Sequence, residues 1–143
     1  MKLSPLTCCI SLIITMNLTY ATPPGELWQL KKQLIQYHNT GQYLQDIAAT
    51  TTQAQHYLAQ RLAYQRHHHL KQKLAVVFDI DETALSNYKH MKKLNFGGKL
   101  SSIKSMEKQG TDTPIKPTLA LFNYAKKHHV DIFFVTGRTR NER

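Results

Sequence analysis

Residues 75–87 read Ala-Val-Val-Phe-Asp-Ile-Asp-Glu-Thr-Ala-Leu-Ser-Asn, a hydrophobic segment followed by acidic and polar residues. It begins within a continuous apolar run, residues 74–78, that is rich in β-branched side chains. Such a run, without alternating polar residues, is typical of a strand buried on both faces of a parallel sheet. We therefore predict an α/β fold in which this run is a core strand.

Two carboxylates, Asp79 and Asp81, stand at the carboxyl end of the predicted strand. Open α/β sheets bind their ligands at that end of the strands. Residues i and i+2 of an extended chain point the same way, so both carboxylates can face one small volume. Two negative charges so close are costly unless a cation or a proton lies between them. A hard divalent ion such as Mg2+, which commonly binds together with a phosphate, satisfies this requirement.

The sequence Asp79-Ile80-Asp81-Glu82-Thr83 after a hydrophobic strand resembles the first motif of the haloacid-dehalogenase (HAD) superfamily. The extended form, which adds Leu85 and Asn87, is similar to the secreted acid phosphatases of subfamily III: the bacterial class B and class C enzymes and the related plant vegetative storage proteins. This resemblance implies a HAD-like Rossmannoid parallel sheet with N-terminal helices and a small cap insertion.

A helix and a second strand follow further along the chain. Pro114 and Pro117 bracket the predicted helix start, because proline suits the first turn of a helix. Residues 130–135 then form a second run that is apolar except for Asp131, and we predict it to be a buried strand. A strand–helix–strand unit is a right-handed crossover, and it brings the ends of both strands to one edge of the sheet. The buried side of the helix is predicted to contain Leu119, Phe122 and Ala125.

Thr136-Gly137-Arg138 follows the second strand and resembles the second HAD motif. The resemblance implies that Asp79 attacks phosphorus to form an aspartyl-phosphate, while Asp81 protonates the leaving oxygen and later activates water. It also implies Mg2+ at the Asp79 carboxylate and the Asp81 backbone carbonyl. The Thr136 hydroxyl and backbone N–H groups such as that of Gly137 would hold the phosphoryl oxygens. Arg138 either faces the substrate or is exposed at a helix start.

The segment at about 88–113 is polar and contains glycines, and the resemblance implies that it forms a cap near the active site. It includes a short helical candidate at residues 101–109. Tyr88 and Phe96 are candidates for stacking on the leaving group of the substrate. The alternative interpretation is that both rings pack within the cap.

Residues 1–21 are interpreted as a secretory signal peptide. Residues 6–18 are mostly apolar and too short to span a bilayer comfortably, and Thr19 and Ala21 are small residues suited to a cleavage site. We therefore expect a secreted or periplasmic protein with no stable membrane span after cleavage. An uncleaved anchor is the alternative. Cys8 and Cys9 leave with the signal, so the mature chain is expected to have no thiol.

Residues 22–72 are predicted to form an N-terminal helical segment, and residues 73–143 the amino-terminal part of the phosphatase core. Helical spacing indicates one helix from about residue 27 to a stop at residues 39–41, and a second from about 43 to 67. They would pack on the flank of the sheet or against a second copy of the chain. Three consecutive histidines, residues 67–69, cannot all face one ion on a helix, so we interpret them as a solvated helix end.

The chain has 143 residues and a formal net charge of +10. Its lysines are scattered, which favours a soluble basic surface that attracts a small anionic substrate over a binding site for nucleic acid. The resemblance to the HAD acid phosphatases implies that the substrate is a small phosphomonoester.

Two motifs that the resemblance implies, a later Lys and a later acidic metal-binding residue, have no match within the 143 residues. We therefore expect the chain to be truncated after the second motif, and to be inactive and poorly folded by itself. Two further interpretations stay open. One is a phosphotransferase that uses the same phosphoenzyme, and the other is an inactive, basic, secreted binding or storage-like protein.

Overall fold

The computed structural model describes residues 25–139, so the predicted signal peptide and its two cysteines lie outside the described residues. Five helices are present in this part of the chain: α1 (Leu27–Asn39), α2 (Gln42–His67), α3 (Tyr88–Lys93), α4 (Leu100–Glu107) and α5 (Lys116–Lys127). Four strands accompany them: β1 (Ala75–Asp79), β2 (Leu85–Ser86), β3 (Thr113–Pro114) and β4 (Asp131–Val135).

Strands β1 and β4 form a parallel pair that runs from Ala75 opposite Asp131 to Asp79 opposite Val135. Helix α5 lies between them in the chain, as the predicted strand–helix–strand unit requires. The predicted α/β class and the parallel pairing are therefore confirmed. The sequence did not predict β2 and β3, which pair antiparallel and join the two ends of the segment that contains α3 and α4.

The core lies between helices α2 and α5 and one face of the β1–β4 pair. Leu58 of α2, Ala125 of α5 and Val130 are buried together, and Val76 and Ile132 pack against them from the strands. Burial of this apolar surface, at about 25 cal/mol per Å2, is the main favourable contribution to the stability of the described fold.

The opposite face of the strands departs from the prediction of burial on both faces. Val77 is 58% exposed and Phe133 is 56% exposed. Side chains alternate between the two faces of a strand, and α2 and α5 both pack on the face that carries Val76 and Ile132. Among residues 25–139, the second face therefore remains open to solvent.

The buried side of α5 also differs from the predicted one. Thr118, Leu121 and Ala125 are buried, whereas Leu119 is 41% exposed. The reason is that α5 faces two different surroundings. Ala125 packs in the core that α2 shares, while Leu119 and Phe122 line an open apolar cavity of about 290 Å3 at the ends of β1 and β4.

The two N-terminal helices match their predicted bounds closely. Gly41, with φ of 83°, makes the left-handed turn between them, a conformation that glycine adopts without steric cost. The Tyr37 hydroxyl and the Gln42 amide each donate to the Asp46 carboxylate at 2.6 Å. Both bonds lower the pKa of Asp46, and the bond from Tyr37 joins α1 to α2.

Helix α2 ends at His67, and the three consecutive histidines are exposed at its carboxyl end, as predicted. Within residues 25–139, no group of three or more potential metal-ligating side chains is close enough to hold an ion. In the same part of the chain, no helix combines the length and apolar character needed to cross a membrane.

Leu58→Ala tests whether the α2–α5 contact stabilises the fold. We expect a loss of about 2–5 kcal/mol in the free energy of unfolding, because the substitution leaves a cavity in the core. Urea unfolding of the full-length protein measures it. The matched control is Leu44→Ala in the same helix, where the side chain is 41% exposed and the loss is expected to be within about 0.5 kcal/mol. Equal losses for both variants would contradict the assigned core.

Candidate active site

The candidate site lies at the carboxyl ends of the two parallel strands. Asp79 is the last residue of β1 and is paired with Val135, the last residue of β4. The Ile80 N–H continues the ladder by donating to the Val135 carbonyl at 3.2 Å. Asp81 is the second residue after β1, and Thr136 is the first residue after β4. The pairing thereby brings these two residues close together at this edge.

The loop after β1 is a compact turn closed on the Ile80 carbonyl. That oxygen accepts from the N–H groups of Ala84 at 3.0 Å and Leu85 at 2.9 Å. Within the turn, Glu82 has a φ of 53°, in the left-handed region that costs a non-glycine residue about 1–3 kcal/mol. The surrounding hydrogen bonds must therefore hold Glu82 in place.

The Glu82 carboxylate provides that restraint by accepting three hydrogen bonds. The Asn87 N–H donates at 2.6 Å and the Ser86 hydroxyl at 3.2 Å, both from the chain just after the turn. The Tyr43 hydroxyl of α2 donates at 2.6 Å. Burial and the bond to Glu82 raise the pKa of Tyr43, so this phenol stays protonated as a donor. No motif in the sequence of α2 marks Tyr43 as a partner of this turn.

Asp79 is exposed at the mouth of the site, as a side chain that meets a ligand must be. The Thr83 hydroxyl donates to one of its carboxylate oxygens, Oδ2, at 3.1 Å. This bond fixes the rotation of the carboxylate. Thr83 therefore orients the carboxylate of the predicted nucleophile.

Asp81 lies in a different environment from Asp79, although the two are separated by one residue. Its Oδ1 accepts from Nε of Arg138 at 3.0 Å and also from Nη2 of the same guanidinium. Its Oδ2 lies 3.4 Å from the Thr136 hydroxyl, which in turn accepts from the Arg138 N–H at 3.1 Å. The residues after β4 thus hold Asp81 from two directions.

Arg138 is not exposed at a helix start, so that predicted alternative is wrong. Its side chain is only 10% exposed, because the guanidinium lies between two carboxylates. Beyond Asp81, Nη2 donates at 2.9 Å to Oδ2 of Asp112, a residue between α4 and β3. The hydrogen bond to Asp81, with a further contribution from Asp112, raises the pKa of Arg138. Gly137 lies between Thr136 and Arg138, and a side chain there would meet nothing within 4 Å.

Asp112 was not found from the sequence, because no motif surrounds it and its partner lies 26 positions away. Its side chain is 3% exposed, so it is the most enclosed charged group in this network. His90 of α3 approaches the second carboxylate oxygen of Asp112 at 3.4 Å. The cap segment therefore contributes two titratable side chains behind Arg138.

Tyr88 and Phe96 lie in an aromatic cluster between α1 and the cap segment. The Tyr88 ring stacks on His38 of α1 with centroids 3.4 Å apart, and its centroid is 5.9 Å from that of Phe96. Tyr43 extends the cluster, 5.5 Å from His38. These contacts attach the cap segment to the N-terminal helices. The predicted contact of the two rings with substrate stays a prediction.

The donor set at the strand ends fits a hard cation such as Mg2+. Asp79 offers an exposed carboxylate, whereas the Asp81 carboxylate is already paired with Arg138, so Asp81 has its backbone carbonyl to offer. Mg2+ is commonly held by one or two protein oxygens together with waters and a phosphate. The described residues alone would therefore hold Mg2+ weakly without such a phosphate.

A comparison with protein-family models gives a match over residues 15–143, to the HAD superfamily, subfamily IIIB (acid phosphatase). No curated protein matches the chain. The family match covers the parallel strands, the turn with Glu82, the cap segment and the residues after β4. The predicted HAD-like fold is thereby confirmed, and the chain belongs to subfamily IIIB of the HAD superfamily, the acid phosphatases.

Proposed function

We propose that the protein, together with the later Lys and acidic motifs that the family resemblance implies, hydrolyses small phosphate monoesters through an aspartyl-phosphate on Asp79. The observation that carries this proposal is the difference between two neighbouring carboxylates at one sheet edge. Asp79 is exposed and oriented by Thr83, whereas Asp81 is held by Arg138 beside the Thr136 hydroxyl. Two carboxylates in unlike environments can take the separate roles of nucleophile and acid–base group.

In the first step, an Asp79 carboxylate oxygen attacks the phosphorus atom and the bond from phosphorus to the ester oxygen breaks. Asp81 donates its proton to the departing oxygen, which leaves as an alcohol. In the second step, Asp81 accepts a proton from water as the water oxygen attacks phosphorus. Inorganic phosphate leaves and the Asp79 carboxylate is restored.

The phosphoryl oxygens would be bound at the ends of the two strands. The Thr136 hydroxyl and the Gly137 N–H are the proposed donors, because both follow directly on β4 at the edge where Asp79 stands. When bound at Asp79 and the Asp81 carbonyl, Mg2+ would offset the negative charge of the phosphoryl group. The predicted signal peptide supports a secreted or periplasmic location for this activity.

Asp79→Asn is expected to reduce hydrolysis of a chromogenic phosphate ester by the full-length protein to background. The amide cannot form the acyl phosphate, although it preserves the shape of the side chain. Asp131→Asn is the matched control, because Asp131 is exposed and stands at the opposite end of β4. Undiminished turnover in Asp79→Asn would rule out Asp79 as the nucleophile.

Asp81→Asn removes the proposed proton donor, and its effect is expected to depend on the leaving group. With an alkyl phosphate, kcat should fall by about 10²–10⁴-fold, since an alkoxide is a poor leaving group without a proton. With p-nitrophenyl phosphate the rate of the first step should fall clearly less, because nitrophenolate leaves without protonation. Burst and single-turnover kinetics separate this first step from the second. An identical first-step loss for both esters would contradict the acid role.

Removal of divalent metal by chelation and dialysis is expected to abolish turnover, and added Mg2+ to restore it. Ca2+ should restore less, because it binds at longer distances and with more ligands than Mg2+ does. The assay is hydrolysis of the same ester before and after each addition. Full activity in the metal-free protein would contradict the proposed use of Mg2+.

A further inference from the structure

The three charged side chains Asp81, Arg138 and Asp112 form a line from the mouth of the candidate site into the cap segment. The exposed fraction falls along it, from 33% for Asp81 to 10% for Arg138 and 3% for Asp112. Asp81, which is partly exposed to solvent, is therefore backed by two side chains that are almost fully buried. Asp112 is also too enclosed to meet a substrate directly.

A carboxylate as enclosed as Asp112 requires strong partners. Its Oδ2 accepts from Nη2 of Arg138 at 2.9 Å, whereas His90 Nε2 is 3.4 Å from Oδ1 and pairs more closely with the Thr111 hydroxyl, at 3.1 Å. The main partner of Asp112 is thus the guanidinium. A buried ion pair contributes little stability compared with apolar residues of similar size, so its presence calls for another explanation.

The geometry of the guanidinium supplies that explanation. Arginine presents its donors in a rigid planar fork, so contacts on two sides fix the orientation of the whole plane. The Asp81 carboxylate accepts hydrogen bonds from Nε and Nη2 on one side, and the Asp112 carboxylate accepts one from Nη2 on the other. Loss of Asp112 would remove the contact on the second side and leave the orientation of the guanidinium plane less firmly fixed. Arg138 could then move together with the carboxylate that it orients.

We propose that Asp112 is a positioning residue: it anchors the Arg138 guanidinium and thereby holds the Asp81 carboxylate in the orientation needed for proton transfer. This inference rests on the proposed function of Asp81. It gives the cap segment a part in the chemistry without contact to substrate, since Asp112 lies between α4 and β3. The β2–β3 pairing ties that segment to the turn after β1, so Asp112 is attached to the same loop that carries Asp81.

The test compares Asp112→Asn, Arg138→Ala and the double variant in the full-length protein, with Asp131→Asn as the charge-matched control. We expect Asp112→Asn to lower kcat about 10- to 100-fold, the range for a lost charged hydrogen bond, with little change in KM. Because Asp112 acts through Arg138, adding Asp112→Asn to Arg138→Ala should cause no further loss. Additive losses, or an effect of Asp112→Asn no larger than that of Asp131→Asn, would overturn the proposal.

A second readout does not depend on activity. The Nε–H resonance of Arg138 in 15N-labelled protein, assigned by its loss in Arg138→Ala, should exchange slowly with solvent in the wild type. It should shift and exchange faster in Asp112→Asn. An unchanged resonance would overturn the positioning role. If the wild type hydrolysed no phosphate ester, the proposed function would fail, while this resonance would still decide whether Asp112 anchors Arg138.

Asp112→Glu covers the case in which Asp112→Asn does not fold. It keeps the buried charge and displaces the carboxylate by one methylene, so kcat should again fall, and the fall should vanish in the Arg138→Ala background. A thermal melt of each variant identifies those that are folded at the assay temperature. Wild-type kcat in a folded Asp112→Glu variant, together with an unmoved Arg138 resonance, would overturn the proposal.

Discussion

The parallel pairing of β1 with β4 is the constraint on which the candidate site depends. The last hydrogen bond of this pairing, from the Ile80 N–H to the Val135 carbonyl, fixes the residue at which each strand leaves the sheet. Asp79 then stands at the end of one strand, and Thr136 directly follows the other. A shift of one residue would turn the side chains of a strand to the opposite face, so register determines which groups meet.

The turn after β1 is the second element that the site requires, and hydrogen bonds from residues outside the turn stabilise it. Glu82 adopts a left-handed backbone conformation, which is tolerable because its carboxylate binds the following chain and the Tyr43 hydroxyl of α2. The N-terminal helices therefore do more than cover the sheet. Through Tyr43 they restrain the turn, and through His38 and Tyr88 they contact the cap segment.

Arg138 connects the second strand to both of these parts. It reaches Asp81 in the turn and Asp112 in the cap segment, 57 and 26 positions away along the chain. A single guanidinium with rigid donors can impose one geometry on two separate loops. The strands thus bring Asp79, Asp81 and Thr136 together, and Arg138 contacts Asp81, the proposed acid–base group.

Features that depend on local pattern were predictable from the sequence. The bounds of α1 and α2 follow from helical spacing and the turn at Gly41, and β1 and β4 from their apolar runs. The α/β class and the neighbouring ends of the two strands follow from these elements. The placement of Asp79 beside the residues after β4 was likewise predictable.

Features that depend on distant contacts were not predictable. Strands β2 and β3 have two residues each, too short for any alternation to stand out. Tyr43 and Asp112 matter because of partners far along the chain, and no neighbouring residue marks them. The exposed face of β1 and β4, with Val77 and Phe133, was missed because an apolar run does not show which helices cover it.

Chemical trapping of the phosphorylated side chain tests directly whether Asp79 is the nucleophile. The full-length protein is mixed with a 32P-labelled phosphate ester, quenched in acid during turnover and digested, and the labelled peptide is sequenced. We expect one label, on Asp79, in an acyl phosphate that hydroxylamine cleaves. A label on a histidine or on Asp81, or turnover with no trapped phosphoenzyme under single-turnover conditions, would contradict it.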